Sequence, residues 1–320
     1  KRKGVRMTLI ILLIVLVCER VALQGLKWRV EYYLGCYVGQ SARSLLAKRD
    51  DHLTLFIFIG LPALLVGLVL MLFDSHVIEF LLSLLVLCVC VGNSVVRALY
   101  RQYLNARSRQ DHEAMGILTA KFARTQGVRK EFFEDANDDS EISPVASSAD
   151  TMAEGDSNSN AKAYECELSF GELLIWNNFK YYAAPIFYFV IFGLPGVVFF
   201  STLVYTVESL TLRRNIDDLH YVAKHHKTLS TWLEWAYWLP SRLVAIGYMF
   251  VGHFSKGLET WLRFAADTKV DSQAMICRVA MAAEAVNENY NEVHMVNLAK
   301  RNMGFFLVIV ALLTLYGQVV

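Results

Sequence analysis

Twenty consecutive residues, Thr54 to Phe73 (TLFIFIGLPALLVGLVLMLF), carry no charge. A helix of about 20 apolar residues matches the hydrocarbon thickness of a bilayer, where every backbone N–H and C=O must be satisfied within protein. The stretch predicts a transmembrane helix and excludes an ordinary soluble domain. Composition agrees: hydrophobic residues make up 55 % of the chain and the mean hydropathy is +0.36. Soluble domains are less apolar. Phe80–Val96 (FLLSLLVLCVCVGNSVV) and Gly304–Val320 (GFFLVIVALLTLYGQVV) predict two further spans.

Two segments are less decided. Met7–Cys18 (MTLIILLIVLVC) is too short to span alone and meets Glu19 and Arg20 at once. Its basic flank fits a signal peptide, but no small-residue cleavage site follows. It reads as a first helix that enters or lies along the membrane. Pro185–Leu210 (PIFYFVIFGLPGVVFFSTLVYTVESL) holds GLPG at Gly193–Gly196. Proline lacks the amide donor and glycine is conformationally free, so this centre should break a helix. The segment either crosses once or folds back as a re-entrant hairpin.

Charge favours re-entry. The Asp74–Glu79 loop has no Lys or Arg, whereas the segments on either side are basic: Arg43, Lys48 and Arg49 before, Arg97, Arg101 and Arg107 after. The positive-inside rule places the basic segments in the cytoplasm and the loop outside. Arg213, Arg214, Lys300 and Arg301 then also fall inside, provided that residues 185–210 do not cross.

The rest of the chain is organised around these spans. After Cys18, charges interleave with Val21, Leu26, Trp28, Val30, Tyr33 and Leu34, an amphipathic pattern suited to the membrane surface. Arg97 to Val128 reads as a cytoplasmic helix. Glu131–Glu167 is acidic, rich in Ser and Asn, and too poor in large apolar residues to fold alone. Trp232–Phe254 carries aromatic residues before Pro240, which suits an interfacial belt. Cys18, Cys36, Cys88, Cys90, Cys166 and Cys277 show no disulfide or zinc pattern. The expected division is 1–53, membrane-entering and amphipathic helices; 54–96, a transmembrane hairpin; 97–130, a cytoplasmic helix; 131–167, a disordered acidic insert; 168–302, a membrane-associated core; and 303–320, a terminal span. The fold class is all-α: a polytopic integral membrane protein with a helical cytoplasmic portion.

Familiar catalytic motifs are absent. The chain has no GxxxxGK[ST], GxSxG or HExxH. His225 and His226 are adjacent, so on a helix they point apart; His253 ends an apolar stretch and reads as an interfacial hydrogen-bonder. Charges at membrane depth are more telling, because burying them costs several kcal/mol unless they are paired. Glu19, Arg20, Lys180, Glu208, Glu234 and Arg242 all border apolar runs. They either snorkel at helix ends or line a shared polar pocket facing the cytoplasm.

Several stretches carry a family resemblance: MTLIILLIVLVCERV at the start, YLNARSRQD at 103–111, LLIWNNFKYYAAPIFYF at 173–189, HH at 225–226, WLPSRL at 238–243, VGH at 251–253, DSQ at 271–273 and ALLTLYGQVV at the end. In this order they resemble the AmpE family of inner-membrane proteins, which is paired with the AmpD amidase in β-lactamase regulation. That family is in turn similar to the CobD/CbiB membrane enzymes of cobalamin synthesis, which carry out an ATP- and magnesium-dependent amide ligation. Asn177, Pro185 and Phe187 match the enzymes' pattern. Trp176 and Lys180 stand where the enzymes have carboxylates, and Leu233 and Glu234 stand near their paired Asp residues. Magnesium needs hard carboxylate oxygens, so the resemblance implies a ligase-like pocket that has lost its metal chemistry.

The expectation is a bacterial inner-membrane, multi-pass regulatory or sensory protein in β-lactamase induction and cell-wall recycling. It has no catalytic residue, metal or cofactor. Its candidate ligand pocket comprises Glu19, Arg20, Glu172, Asn177, Asn178, Lys180, Glu234 and Arg242, with Lys180 paired to Glu172 or Glu19 or facing an anionic ligand. Expected partners are membrane lipid, a muropeptide or other anionic cell-wall fragment, and a protein of the AmpD pathway, but no nucleic acid. The alternative is an active ATP- and magnesium-dependent ligase or transferase.

Overall fold

A computed structural model describes residues 2–21, 30–46, 52–72, 76–125, 169–212, 222–265, 267, 270–284 and 292–316. The acidic insert 131–167 lies outside them, as do Arg213 and Arg214. The described residues are helical, without strands. Three helical stretches are long and apolar enough to cross a membrane: His52–Leu72, the run Phe170–Thr211, and His294–Thr314. The protein is an all-helical membrane protein.

The first helix, α1 (Arg2–Val21), packs Ile11, Leu12 and Val15 against Leu87 and Val310. Helix α2 (Val30–Leu46) leads to α3 (His52–Leu72), the expected first span. Pro62 lies inside α3 and cannot donate to the Phe58 carbonyl four residues back. The Tyr37 hydroxyl of α2 donates to that carbonyl instead, at 2.6 Å, with its ring stacked on Phe58. A tyrosine thus repairs the gap a proline leaves.

The second expected span, Phe80–Val96, is not one helix. Helix α4 (His76–Cys90) ends six residues early, and α5 (Ser94–Ser108) restarts at a bend of 44°. Fifteen residues of α4 reach only about 22 Å, short of a bilayer core. Gly92, at φ 90°, makes the turn, and Asn93 caps α5 by accepting from Val95 and Val96 N–H. The apolar pattern alone ran through this break. Helix α6 (His112–Thr125) then folds onto α5, and Tyr103 stacks on Phe170 at 3.6 Å.

Helix α7 (Phe170–Asn178) opens on a capping box: Glu172 N–H donates to Ser169 Oγ, and Ser169 N–H and hydroxyl donate to Glu172 Oε2. A π-turn over Phe179–Ala183 leads into α8 (Ala184–Thr211). The π-turn's Tyr181 carbonyl accepts from Gly92 N–H, so the break after α4 and the π-turn are locked together. Gly193 sits at φ +67° inside α8, a conformation only glycine adopts freely. There the helix axis folds back. Tyr188 stacks on Phe200 at 4.7 Å, although they are twelve residues apart in sequence. On a straight helix they would stand about 18 Å apart.

Four further helices complete the bundle: α9 (His226–Val251), α10 (Phe254–Ala265), α11 (Ser272–Glu284) and α12 (Glu292–Leu315). Pro240 interrupts α9 as Pro62 interrupts α3. Here the Tyr188 hydroxyl donates to the stranded Ala236 carbonyl at 2.9 Å. The largest core cluster joins α2, α3, both arms of α8, α9 and α11.

Candidate functional site

The fold-back at Gly193 returns Glu208 to Lys180, twenty-eight positions earlier in the chain. A straight helix would hold them about 42 Å apart. Instead they form an ion pair with each side chain only 5–6 % exposed, and the Tyr181 hydroxyl donates to Glu208 Oε1 at 3.0 Å. Lys180 is therefore paired with Glu208, while Glu172, one expected partner, is engaged in the α7 capping box, and the side chain of the other, Glu19, lies outside the described residues. A buried pair of this kind is strongly sensitive to loss of either member.

The pair lines a cleft of about 620 Å³. Trp176 and Tyr237, packed edge to face at 5.2 Å, line it beside the pair. Lys227, Ser230, Thr231, Glu234, Trp235 and Trp238 of α9 also line it, and Asp271, Ser272 and Gln273 open α11 along its edge. Asp271 caps α11 by accepting from Gln273 and Ala274 N–H, each at 3.1 Å. A side-chain hydrogen bond joins Asp271 to Glu234. Desolvation, then the Asp271 charge, pushes the Glu234 carboxyl up to about 8. Glu234 is exposed on the cleft, so water tempers the desolvation and screens the Asp271 charge.

Several polar atoms of the lining have no hydrogen-bond partner among the described residues: Ser230 Oγ, Tyr237 Oη, Trp238 Nε1 and Gln273 Nε2. Three of the four sit on α9 within two turns. Buried polar atoms are almost always satisfied, so these four are open to water or to a polar group entering the cleft. Among the described residues, no three of His, Cys, Asp and Glu stand together as a metal-ion group.

The residues singled out from the sequence divide into several places. Lys180 and Glu234 line the cleft together. Glu172 is engaged in the α7 capping box and does not line it. Asn177 Oδ1 has no hydrogen-bond partner among the described residues, and neither Asn177 nor Asn178 lines the cleft. Arg242 donates to the carbonyls of Ala265, Trp238 and Asp267 and lies over the Trp238 ring at 4.5 Å, so it braces the wall from behind. Glu19 and Arg20 stand in the last turn of α1, and their side chains lie outside the described residues. The sequence reading left out Glu208, Asp271 and Gln273 as site residues. A charge inside an apolar run flagged Glu208, and DSQ flagged the other two, but nothing in linear order joined them to Lys180.

The same chain can now be set beside known proteins. A family model described as "Regulatory signalling modulator protein AmpE" matches residues 7–145 and 136–320. Protein AmpE of Shigella flexneri is 25 % identical over 333 aligned positions, covering 98 % of this chain and all of that protein. No solved structure matches. The two family matches extend across the apolar helices and both walls of the cleft, and the chain belongs to the AmpE family of regulatory signalling modulators.

Proposed function

We propose that this protein is a multi-pass sensor of the bacterial inner membrane. It binds a ligand in the Lys180–Glu208 cleft and modulates signalling in β-lactamase induction and cell-wall recycling, without turning the ligand over. The family description supports the regulatory role. The observation that carries the reading is the floor of the cleft, where Trp176 lies beside Lys180 and Glu208 neutralises Lys180; the resemblance to the CobD/CbiB enzymes implies carboxylates in those enzymes where Trp176 and Lys180 stand here. That floor suits recognition better than magnesium binding. The ligand is a muropeptide or another anionic cell-wall fragment met by Lys227 and the unpaired donors. A protein of the AmpD pathway receives the signal. In the membrane the Asp74–Glu79 loop faces outward, the basic segments face the cytoplasm, and α8 re-enters rather than crosses.

One observation favours an enzyme: the hydrogen-bonded Glu234–Asp271 pair on the cleft wall, an arrangement suited to proton transfer. A thermal-shift panel of muropeptides, ATP with magnesium, and corrinoid precursors separates the two readings, because a ligand of the folded state raises apparent stability. Gln273→Ala and Lys227→Ala keep the buried pair intact and serve as controls. Stabilisation by muropeptides that Gln273→Ala removes is the expected result. Stabilisation by ATP with magnesium, followed by turnover that Glu234→Gln abolishes, overturns the sensor reading.

A further inference from the structure

We propose that α9 and α10 lie flat in the water–lipid boundary, with lipid covering an apolar stripe of Trp235, Leu239, Leu243, Phe250, Phe254 and Leu262. All six are exposed, from 44 % for Leu243 to 64 % for Trp235. The first four fall on one face of α9 at spacings of four, four and seven; the opposite face buries Leu233, Tyr237, Val244 and Tyr248. Isolated exposed apolar residues need no explanation, but a continuous stripe does.

What covers the stripe follows from where α9 begins and ends. Near its start, Trp232 meets Phe56 at 6.1 Å, in the second turn of α3 and just after the charged stretch Lys48–Asp51. Near its end, Phe250 stacks on Phe305 at 5.6 Å, where the apolar part of α12 follows Lys300 and Arg301. The Asn302 amide donates to the Val244 carbonyl at the same level. Both contacts sit where a span's charged end gives way to apolar residues. A helix joining two such ends runs along the membrane surface. α9 is itself not apolar enough over any window to count among the crossing helices.

Helix α10 continues the arrangement. Phe250 touches Phe254 at 5.4 Å, which carries the stripe across the turn. Trp261 and Phe264 pack toward Met249, Met275 and Val279, while Phe254 and Leu262 stay open. Lys256, Glu259 and Arg263 occupy the remaining face, all exposed. One flank on protein, one apolar flank open and one charged flank is the pattern of a helix held at headgroup depth. Trp235 also lines the cleft, so the cleft mouth sits at this level.

The inference does not depend on what the cleft binds, and its test does not use the cleft. Nitroxide labels are placed singly at Leu243 and Leu262, and at Lys256 and Glu259, in the full chain with Cys18, Cys36 and Cys166 replaced by serine. The protein is reconstituted in vesicles of phosphatidylcholine and phosphatidylglycerol. Collisions with oxygen, which concentrates in acyl chains, are compared with collisions with a water-soluble nickel complex. Leu243 and Leu262 should favour oxygen, and Lys256 and Glu259 should favour nickel. Nickel access at Leu243 and Leu262 overturns the proposal. So does immobilisation with neither collider reaching them, because a second protein surface then covers the stripe.

Discussion

Helix α3 and the run Phe170–Thr211 are both apolar enough to cross a membrane, yet they face different surroundings. In α3 17 % of the most apolar window is buried inside the protein; in the second run the share is 61 %. Met71, Leu64 and Leu53 point outward from α3, whereas the second run is wrapped by α2, α3, α9 and α11 and carries a buried ion pair. Apolarity licenses contact with lipid or with protein equally. What separates the two cases is whether polar groups inside the apolar run find partners. Lys180 and Glu208 are tolerable only because the fold-back brings each to the other.

The sharpest way to break the comparison is to remove one of those partners. Lys180→Met leaves Glu208 buried without its cation and should cost about 3–5 kcal/mol of stability. Adding Glu208→Leu should recover most of the loss. Denaturation of the detergent-solubilised variants reads both, and a double variant as weak as the single one would mean that the pair is not what holds the hairpin closed.

A smaller effect tests what the two regions share. Each takes part in a contact in which a tyrosine hydroxyl donates to a carbonyl that a proline has stranded: Phe58 of α3 accepts from Tyr37 of α2, and Tyr188 of the hairpin donates to Ala236 of α9. Tyr188→Phe should cost about 1–3 kcal/mol, the penalty for an unsatisfied buried acceptor. In a Pro240→Ala background the restored N–H serves Ala236, and the same change should become nearly silent. Tyr37→Phe against Pro62→Ala repeats the cycle in α3. An additive result in both cycles would dismiss the repair.

The smallest expected effect is a pH slope. The folded carboxyl of Glu234 is raised to about 8, against about 4.3 for a free glutamate. The folded state therefore holds this proton more tightly, so the contribution to stability is full below about 4.3 and is lost as pH rises toward 8. Glu234→Gln should flatten the dependence of the melting temperature over that window. An unchanged slope would remove Glu234 as its source.

Much of this was readable in linear order. The uncharged run Thr54–Phe73 and the GLPG break are local or short-period signals, and helix geometry converts them directly into an apolar helix and a fold-back. Linear order also misled in places. Phe80–Val96 reads as one unbroken helix because nothing in its hydropathy records that Gly92 N–H is needed by the Tyr181 carbonyl. Glu172 reads as a pocket carboxylate because its use as a helix cap depends on where α7 begins. Arg242 reads as a site cation, yet three carbonyls around Trp238 and the end of α10 hold it.

By itself, then, the sequence determined that this is an all-helical membrane protein and where its charges are too costly to leave alone. Solvation explains that much, because the free energy of putting a residue into hydrocarbon depends on its own side chain and its immediate neighbours. Only the tertiary structure decided which charge meets which, where the cleft lies, and which apolar face stays exposed. Pairing Lys180 with Glu208 requires a fold-back across twenty-eight residues. Its energy depends on distance and burial, and neither exists until the helices have packed.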